Sequence, residues 1–152
     1  MKKKILIFGG TGAIGFSIAN CLKKQDYNPI LISRNKEELI QKSKEIDCSF
    51  EICDVLEMKQ IEEVSKKHQD DVFGIAYCIG SINLKPLKTT KDEDFIDSFK
   101  INTLGAINAF KMNLPSLINN NGSVLFFSTI AVQQGFVNHS IVSSSKGAIE
   151  GL

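Results

Sequence analysis

Five short apolar runs alternate with amphipathic segments along the whole chain, and no other feature limits its fold as tightly. Lys4–Phe8 (KILIF), 29–33 (PILIS), 49–53, 72–78 and 123–128 (SVLFFS) read as strands. Residues 13–25 carry Ile14, Ile18, Cys21 and Leu22 at helical spacing. Lys36–Ile46 turns Leu39, Ile40 and Ile46 inward, and Met58–His68 turns Ile61 and Val64 to one side, so all three read as helices. Residues 92–118 read as one long helical stretch disturbed near its end by Pro115. Asp92, Glu93, Asp94 and Asp97 suit its amino terminus. Phe95, Phe99 and Phe110 read as core or interface. Residues 140–152 open a last helix.

Strands without a polar face, each followed by a helix, are the pattern of parallel strands covered on both sides. Right-handed crossovers then give an α/β, Rossmann-like doubly wound parallel sheet, with ligand at the carboxyl ends of its strands. A chain of 152 residues is expected to make one domain, 1–152. With 18 basic against 17 acidic side chains, it lacks the basic excess of a nucleic-acid binder. Hydrophobic residues at 43% and charged ones at 23% exclude a disordered chain. No apolar run approaches the ~20 residues of a membrane span, and the opening MKKKILIFGG lacks a signal's hydrophobic stretch. Cys21, Cys48, Cys53 and Cys78 have neither paired spacing nor histidine companions. They read as buried small hydrophobes in a reducing cytoplasm, and no metal site is expected.

Where the first strand gives way to the first helix, the chain reads FGGTGAIG over residues 8–15. Gly10, Gly12 and Gly15 fit G-x-G-x-x-G, and Gly9, Gly12 and Gly15 fit a shifted variant. One glycine permits the tight turn, one lets backbone approach a pyrophosphate, and one lets the helix pack on the sheet. Gly9, Gly10, Thr11, Gly12, Ala13, Ile14 and Gly15 are therefore candidate dinucleotide contacts, with the helix dipole behind them. The second strand ends Ser33-Arg34-Asn35 and has no carboxylate for ribose hydroxyls. The Arg34 fork suits a 2′-phosphate and Ser33 can add a hydrogen bond, so NADP is favoured over NAD.

Together with several later stretches of the chain, these residues resemble the short-chain dehydrogenase/reductase family over almost the whole length. FGGTGAIG resembles its phosphate turn, with Ala13 in place of a middle glycine. Asp54-Val55 resembles the pair that contacts adenine. Cys78-Ile79-Gly80 stands where the family has Asn-Ala-Gly. Asn102, in INTLG, matches the family's proton-relay asparagine. Ser128-Thr129 stands at its catalytic serine, and KGAIEGL, from Lys146, resembles the helix bearing its catalytic lysine. The resemblance implies hydride transfer between a nicotinamide and a small-molecule carbonyl or alcohol, and a homo-oligomer in the full-length form.

The family's Tyr-x-x-x-Lys is broken: four residues before Lys146 stands Val142. Tyr27 lies before the second strand, at the wrong end of the sheet, and Tyr77 lies on the fourth strand. In the family the tyrosine moves the proton that accompanies hydride. Loss of a positioned acid or base typically removes about 10²–10⁴ in rate. His139, Val142, Ser143 and Lys146 share a helical stripe if the last helix starts early enough. An imidazole suits proton transfer near neutral pH, so His139 with Thr129 is a candidate replacement; the alternative is a cap at the helix entrance. The family continues beyond such a fifth strand, so a sheet truncated there and within the following helix is expected. A non-catalytic NADP(H)-binding sensor or assembly partner is the alternative function.

Overall fold

The computed structural model describes residues 2–152. Five strands form one sheet in the order β3-β2-β1-β4-β5: β1 (Lys4–Phe8), β2 (Asn28–Ser33), β3 (Ser49–Ile52), β4 (Val72–Tyr77) and β5 (Ser123–Phe126). The β1–β2, β1–β4 and β2–β3 pairs are parallel. With α1 (Ala13–Lys24), α2 (Lys36–Ile46), α3 (Met58–His68), α4 (Asp92–Phe99), α5 (Gly105–Asn119) and α6 (Ser140–Glu150), this is the expected Rossmann-like α/β fold. Leu6, Ile7, Phe8, Leu31 and Ile32 are fully buried, because β1 and β2 lie inside the sheet and have no solvent face. Each contributes about 1.5–3 kcal/mol of burial. The chain divides into two compact units. One comprises the residues up to Cys78 with Asn108–Leu125, and the other Ile79–Ile107 with Phe126–Leu152.

The inward face of α1 differs from the expected one. Ile14 is 54% exposed and Cys21 is exposed, while Gly15 and Ala19 are the buried positions. Small residues let this helix approach the sheet closely, and Phe16, Ile18 and Leu22 pack at its flanks. Cys21 is therefore not a core residue, and Cys48 and Cys78 are only partly buried. Burial pushes the Cys48 and Cys53 thiols up to about 11. Phe99 is likewise 38% exposed rather than core.

The long helix of 92–118 is also different. It is interrupted not at Pro115, which lies within α5, but by a π-helical turn over Lys100–Leu104. Within this turn Asn102 Nδ2 donates to the Ser98 carbonyl at 3.0 Å. β5 ends at Phe126, leaving Ser128 in the following loop, and α6 ends at Glu150.

At the carboxyl end of α3, His68 is 8% exposed, its Nε2 lies 3.0 Å from Glu51 Oε1, and its Nδ1 has no partner. Burial holds its pKa below the ordinary 6.5, against the opposing pull of Glu51. The unfolded chain therefore binds more protons in the window just below 6.5, and stability falls as pH drops through it. Urea midpoints measured between about pH 7.5 and 5.5 should decline, and His68→Gln should remove part of that slope. An unchanged slope in the variant would show that His68 does not carry it.

Candidate functional site

In the first unit the site is built almost wholly from backbone. Gly9 holds φ at 80°, the left-handed conformation that turns the chain out of β1. Its N–H and that of Gly10 both donate to the Ile32 carbonyl, at 2.8 and 3.1 Å, pinning the turn to the end of β2. A methyl on Gly10 would lie 2.9 Å from Leu31 Cδ2, and one on Gly15 only 2.3 Å from the Gly9 carbonyl oxygen. At Gly12 the nearest such contact is 3.4 Å. The glycines thus divide their work: Gly9 makes the turn, Gly10 and Gly15 permit close packing, and Gly12 keeps the surface open.

Gly12 is also the N-cap of α1 and has no side chain to bond the amides behind it. The first backbone bond into the helix runs from Phe16 N–H to the Gly12 carbonyl at 2.9 Å. The Ala13, Ile14 and Gly15 amides are left at the entrance without an intrahelical acceptor, beside exposed Gly12, Ala13 and Ile14. Such an end fits an anion, as a dinucleotide diphosphate would supply.

Thr11 Oγ1 donates to Ser33 Oγ at 3.1 Å, joining the glycine turn to the end of β2. Arg34 is exposed and meets no carboxylate among the described residues. Asn35 is committed elsewhere: its Oδ1 accepts from Glu37 and Glu38 N–H at 3.1 and 3.2 Å, capping α2. Asp54 shapes its own loop by accepting from Leu56 N–H at 3.0 Å, and Val55 is buried beside it. Cys78 N–H donates to the Phe8 carbonyl at 2.8 Å, extending the β1–β4 ladder by one bond. Tyr77 is buried with its ring 6.0 Å from that of Phe8, and burial pushes its phenol well above the ordinary value.

In the second unit, Gly80, Asn102 and Lys146 converge, and Ile79 precedes them half-buried. A methyl on Gly80 would lie 3.0 Å from Asn102 Oδ1 and 3.5 Å from Lys146 Nζ. Asn102 is fully buried. Its Oδ1 accepts from Ser81 N–H at 3.1 Å, and its Nδ2 donates to the Ser81 and Ser98 carbonyls. Ser98 Oγ lies 2.9 Å from Ser145 Oγ, and Thr103 Oγ1 donates to the Ser145 carbonyl at 2.8 Å. Ser81 and Ser98 were not legible as site residues, because their loop and helical placement signals only solvent or backbone bonding; Ser145, beside Lys146, reads from the sequence as a weak candidate for the proton step and here bonds Ser98 instead.

Ser128 Oγ donates to the Glu150 carboxylate, a partner the sequence did not indicate. Thr129 Oγ1 accepts from Ala131 N–H at 3.3 Å, which leaves its own proton available to donate. His139 lies outside α6, at its N-cap position with φ −97° and ψ 4°. Its Nδ1 donates to the Val137 carbonyl at 2.8 Å, fixing the tautomer that keeps Nε2 as acceptor. Its ring stands 5.4 Å from that of Phe136. Val142 and Lys146 are both buried on α6. No group of three potential metal ligands occurs among the described residues, nor any helix long and apolar enough to cross a membrane.

The profile of the short chain dehydrogenase family matches residues 3–152. The chain belongs to the short chain dehydrogenase family. Its oxidoreductases use NAD(P), and relatives of two kinds are similar to it. Carbonyl reductase family member 4 of Xenopus laevis is 30% identical over 99% of this chain and 66% of its own length. The 3-oxoacyl-[acyl-carrier-protein] reductase of Mus musculus is 25% identical over the same shares. The chain thus spans about two thirds of the length of those relatives. An actinorhodin polyketide ketoreductase solved with NADPH superposes with a TM-score of 0.90 at 23% identity, over 99% of this chain and 62% of that one, a likeness of fold.

Proposed function

We propose that residues 1–152 form the NADP-binding domain of a cytoplasmic short-chain oxidoreductase that acts on a small-molecule carbonyl or alcohol and assembles as a homo-oligomer. The glycine turn carries this reading: its amides stand at an uncapped helix entrance, and Gly12 leaves the approach open. NADP(H), when bound, supplies or accepts the hydride. The Ala13 and Ile14 amides hold the diphosphate, Arg34 and Ser33 hold the 2′-phosphate, and Asp54-Val55 line the adenine. Lys146 holds the ribose, and Asn102 keeps the Gly80 backbone and Lys146 in register.

Thr129 polarises the carbonyl in this reading, and the engagement of Ser128 by Glu150 supports the choice between the two hydroxyls. His139 Nε2 is the candidate proton carrier that works with it, replacing the phenol for which Val142 stands. Unchanged turnover in His139→Ala would remove that role. The burial of Val142 also favours a second reading, a non-catalytic NADP(H) sensor or assembly partner, since nothing ionisable fills that place.

Fluorescence titration with NADPH and NADH tests the coenzyme, and a carbonyl screen with bound NADPH separates the two readings. Arg34→Ala should weaken NADPH by about 10–100-fold, the worth of a charged hydrogen bond, and leave NADH unchanged. Equal loss for both coenzymes would assign Arg34 a merely structural place.

A further inference from the structure

The second unit buries two hydroxyl groups that the coenzyme reading leaves without a task. Ser98 on α4 is 5% exposed and Ser145 on α6 is 2% exposed, and their Oγ atoms lie 2.9 Å apart. Buried this far, each hydroxyl proton must end on a protein oxygen. A hydroxyl carries one proton and two lone pairs, so the direction of each bond can be worked out.

Ser145 Oγ donates to carbonyls one turn back, Val142 at 3.1 Å and Ile141 at 3.3 Å. Its proton is thereby spent, so between the two serines Ser98 is the donor. The reverse direction fails, because among the described residues the Ser98 proton has no acceptor other than Ser145. Ser98 Oγ then has only lone pairs to offer Asn102, whose Nδ2 lies 3.1 Å away. A directional chain runs from Asn102 through Ser98 and Ser145 to the Val142 carbonyl.

The amide at the head of this chain has two unlike ends. With Ser98 able only to accept, Nδ2 faces Ser98. Oδ1 then faces Ser81 N–H, at 3.1 Å, and the place where Gly80 and Lys146 Nζ converge. An oxygen there favours the ammonium, whereas an NH2 group would repel it. Ser145 is held a second time through its carbonyl, which accepts from Thr103 Oγ1 at 2.8 Å. Both bonds act on the residue next to Lys146.

We propose that Ser98 and Ser145 are positioning residues, whose hydroxyl chain fixes the polarity of the Asn102 amide and so turns its negative end toward Gly80 and Lys146. The consequence for the coenzyme rests on the reading above that Lys146 holds the ribose.

The test joins NMR of the asparagine-labelled protein to calorimetric titration with NADPH and with adenosine 2′,5′-bisphosphate, which lacks the nicotinamide ribose. In Ser145→Ala the Ser98 proton is released, and the Nδ2 proton of Asn102 that faces Ser98 should shift. Ser98→Ala and Ser145→Ala should each weaken NADPH by about 2–10-fold, the worth of one neutral hydrogen bond, and leave the bisphosphate unchanged. The double variant should lose no more than either single one, because one chain is broken once. Ser144→Ala removes an exposed hydroxyl that donates to the Ser140 carbonyl outside the chain, and should change neither readout.

An Asn102 amide unmoved in Ser145→Ala would overturn the proposal. Equal losses for both ligands would do the same, since they mark a merely structural pair. So would additive losses in the double variant, or NADPH affinity kept in every variant. A wild-type protein that binds neither ligand would sink the coenzyme reading, and the amide resonance would still decide the polarity.

Discussion

Gly15→Ala is expected to lower the melting temperature by roughly 5–10 °C and to abolish tight NADPH binding. The added methyl would sit 2.3 Å from the Gly9 carbonyl oxygen, 2.9 Å from its carbon and 3.0 Å from Gly10 Cα. All three are backbone atoms. They cannot retreat cheaply, since Gly9 and Gly10 are anchored to Ile32. Overpacking of this kind typically costs about 1–3 kcal/mol, and relief requires α1 to move off the turn. That movement carries the helix-entrance amides away from the place where a diphosphate would lie. Gly12→Ala is the companion measurement: its methyl has room, so stability should fall by no more than about 1 kcal/mol through the poorer N-cap, while NADPH affinity falls because the approach is narrowed. A Gly15→Ala protein that melts with the wild type would contradict the packing described for this turn.

Asn102→Leu should have a comparable effect on the second unit. The substitution keeps the branched outline, with a somewhat larger side chain, and removes every polar contact of a fully buried residue. Ser81 N–H loses its acceptor, and the Ser81 and Ser98 carbonyls lose a donor. At about 1–3 kcal/mol for each of the three groups left unsatisfied, a loss of roughly 3–9 kcal/mol results. Global stability of a domain is about 5–15 kcal/mol, so the loss is a large share of it. Hydrogen exchange should accelerate most at Ser81 and through the π-helical turn. Ser98→Ala removes one hydroxyl and leaves the amide's main bonds, so it should cost about 1 kcal/mol. If Asn102→Leu and Ser98→Ala prove equally mild, Asn102 is not the tie between loop and helix.

Legibility in the chain depends on which forces act locally. The alternation of apolar and amphipathic runs is set by burial on both sheet faces, and it located all five strands and gave α2 and α3 their observed limits. The glycine turn was legible because backbone geometry demands glycine there. Periodicity misled where size mattered more than hydrophobicity: α1 meets the sheet through Gly15 and Ala19, which leaves Ile14 and Cys21 outside. The π-helical turn has no counterpart in the apolar periodicity, which runs through 92–118 without a break. The Ser98–Ser145 pair joins residues 47 apart, and no local rule brings them together. Ser128 and Glu150 meet in the same way, through tertiary structure alone.

Coenzyme binding is assigned to backbone amides at the entrance of α1, and amide-resolved NMR during an NADPH titration observes those groups directly. The largest shifts should fall on Gly12, Ala13 and Ile14, with a second set at Ser33 and Arg34 that NADH fails to reproduce. NADPH binding that leaves the 9–15 amides unmoved, or no binding at all, would contradict it.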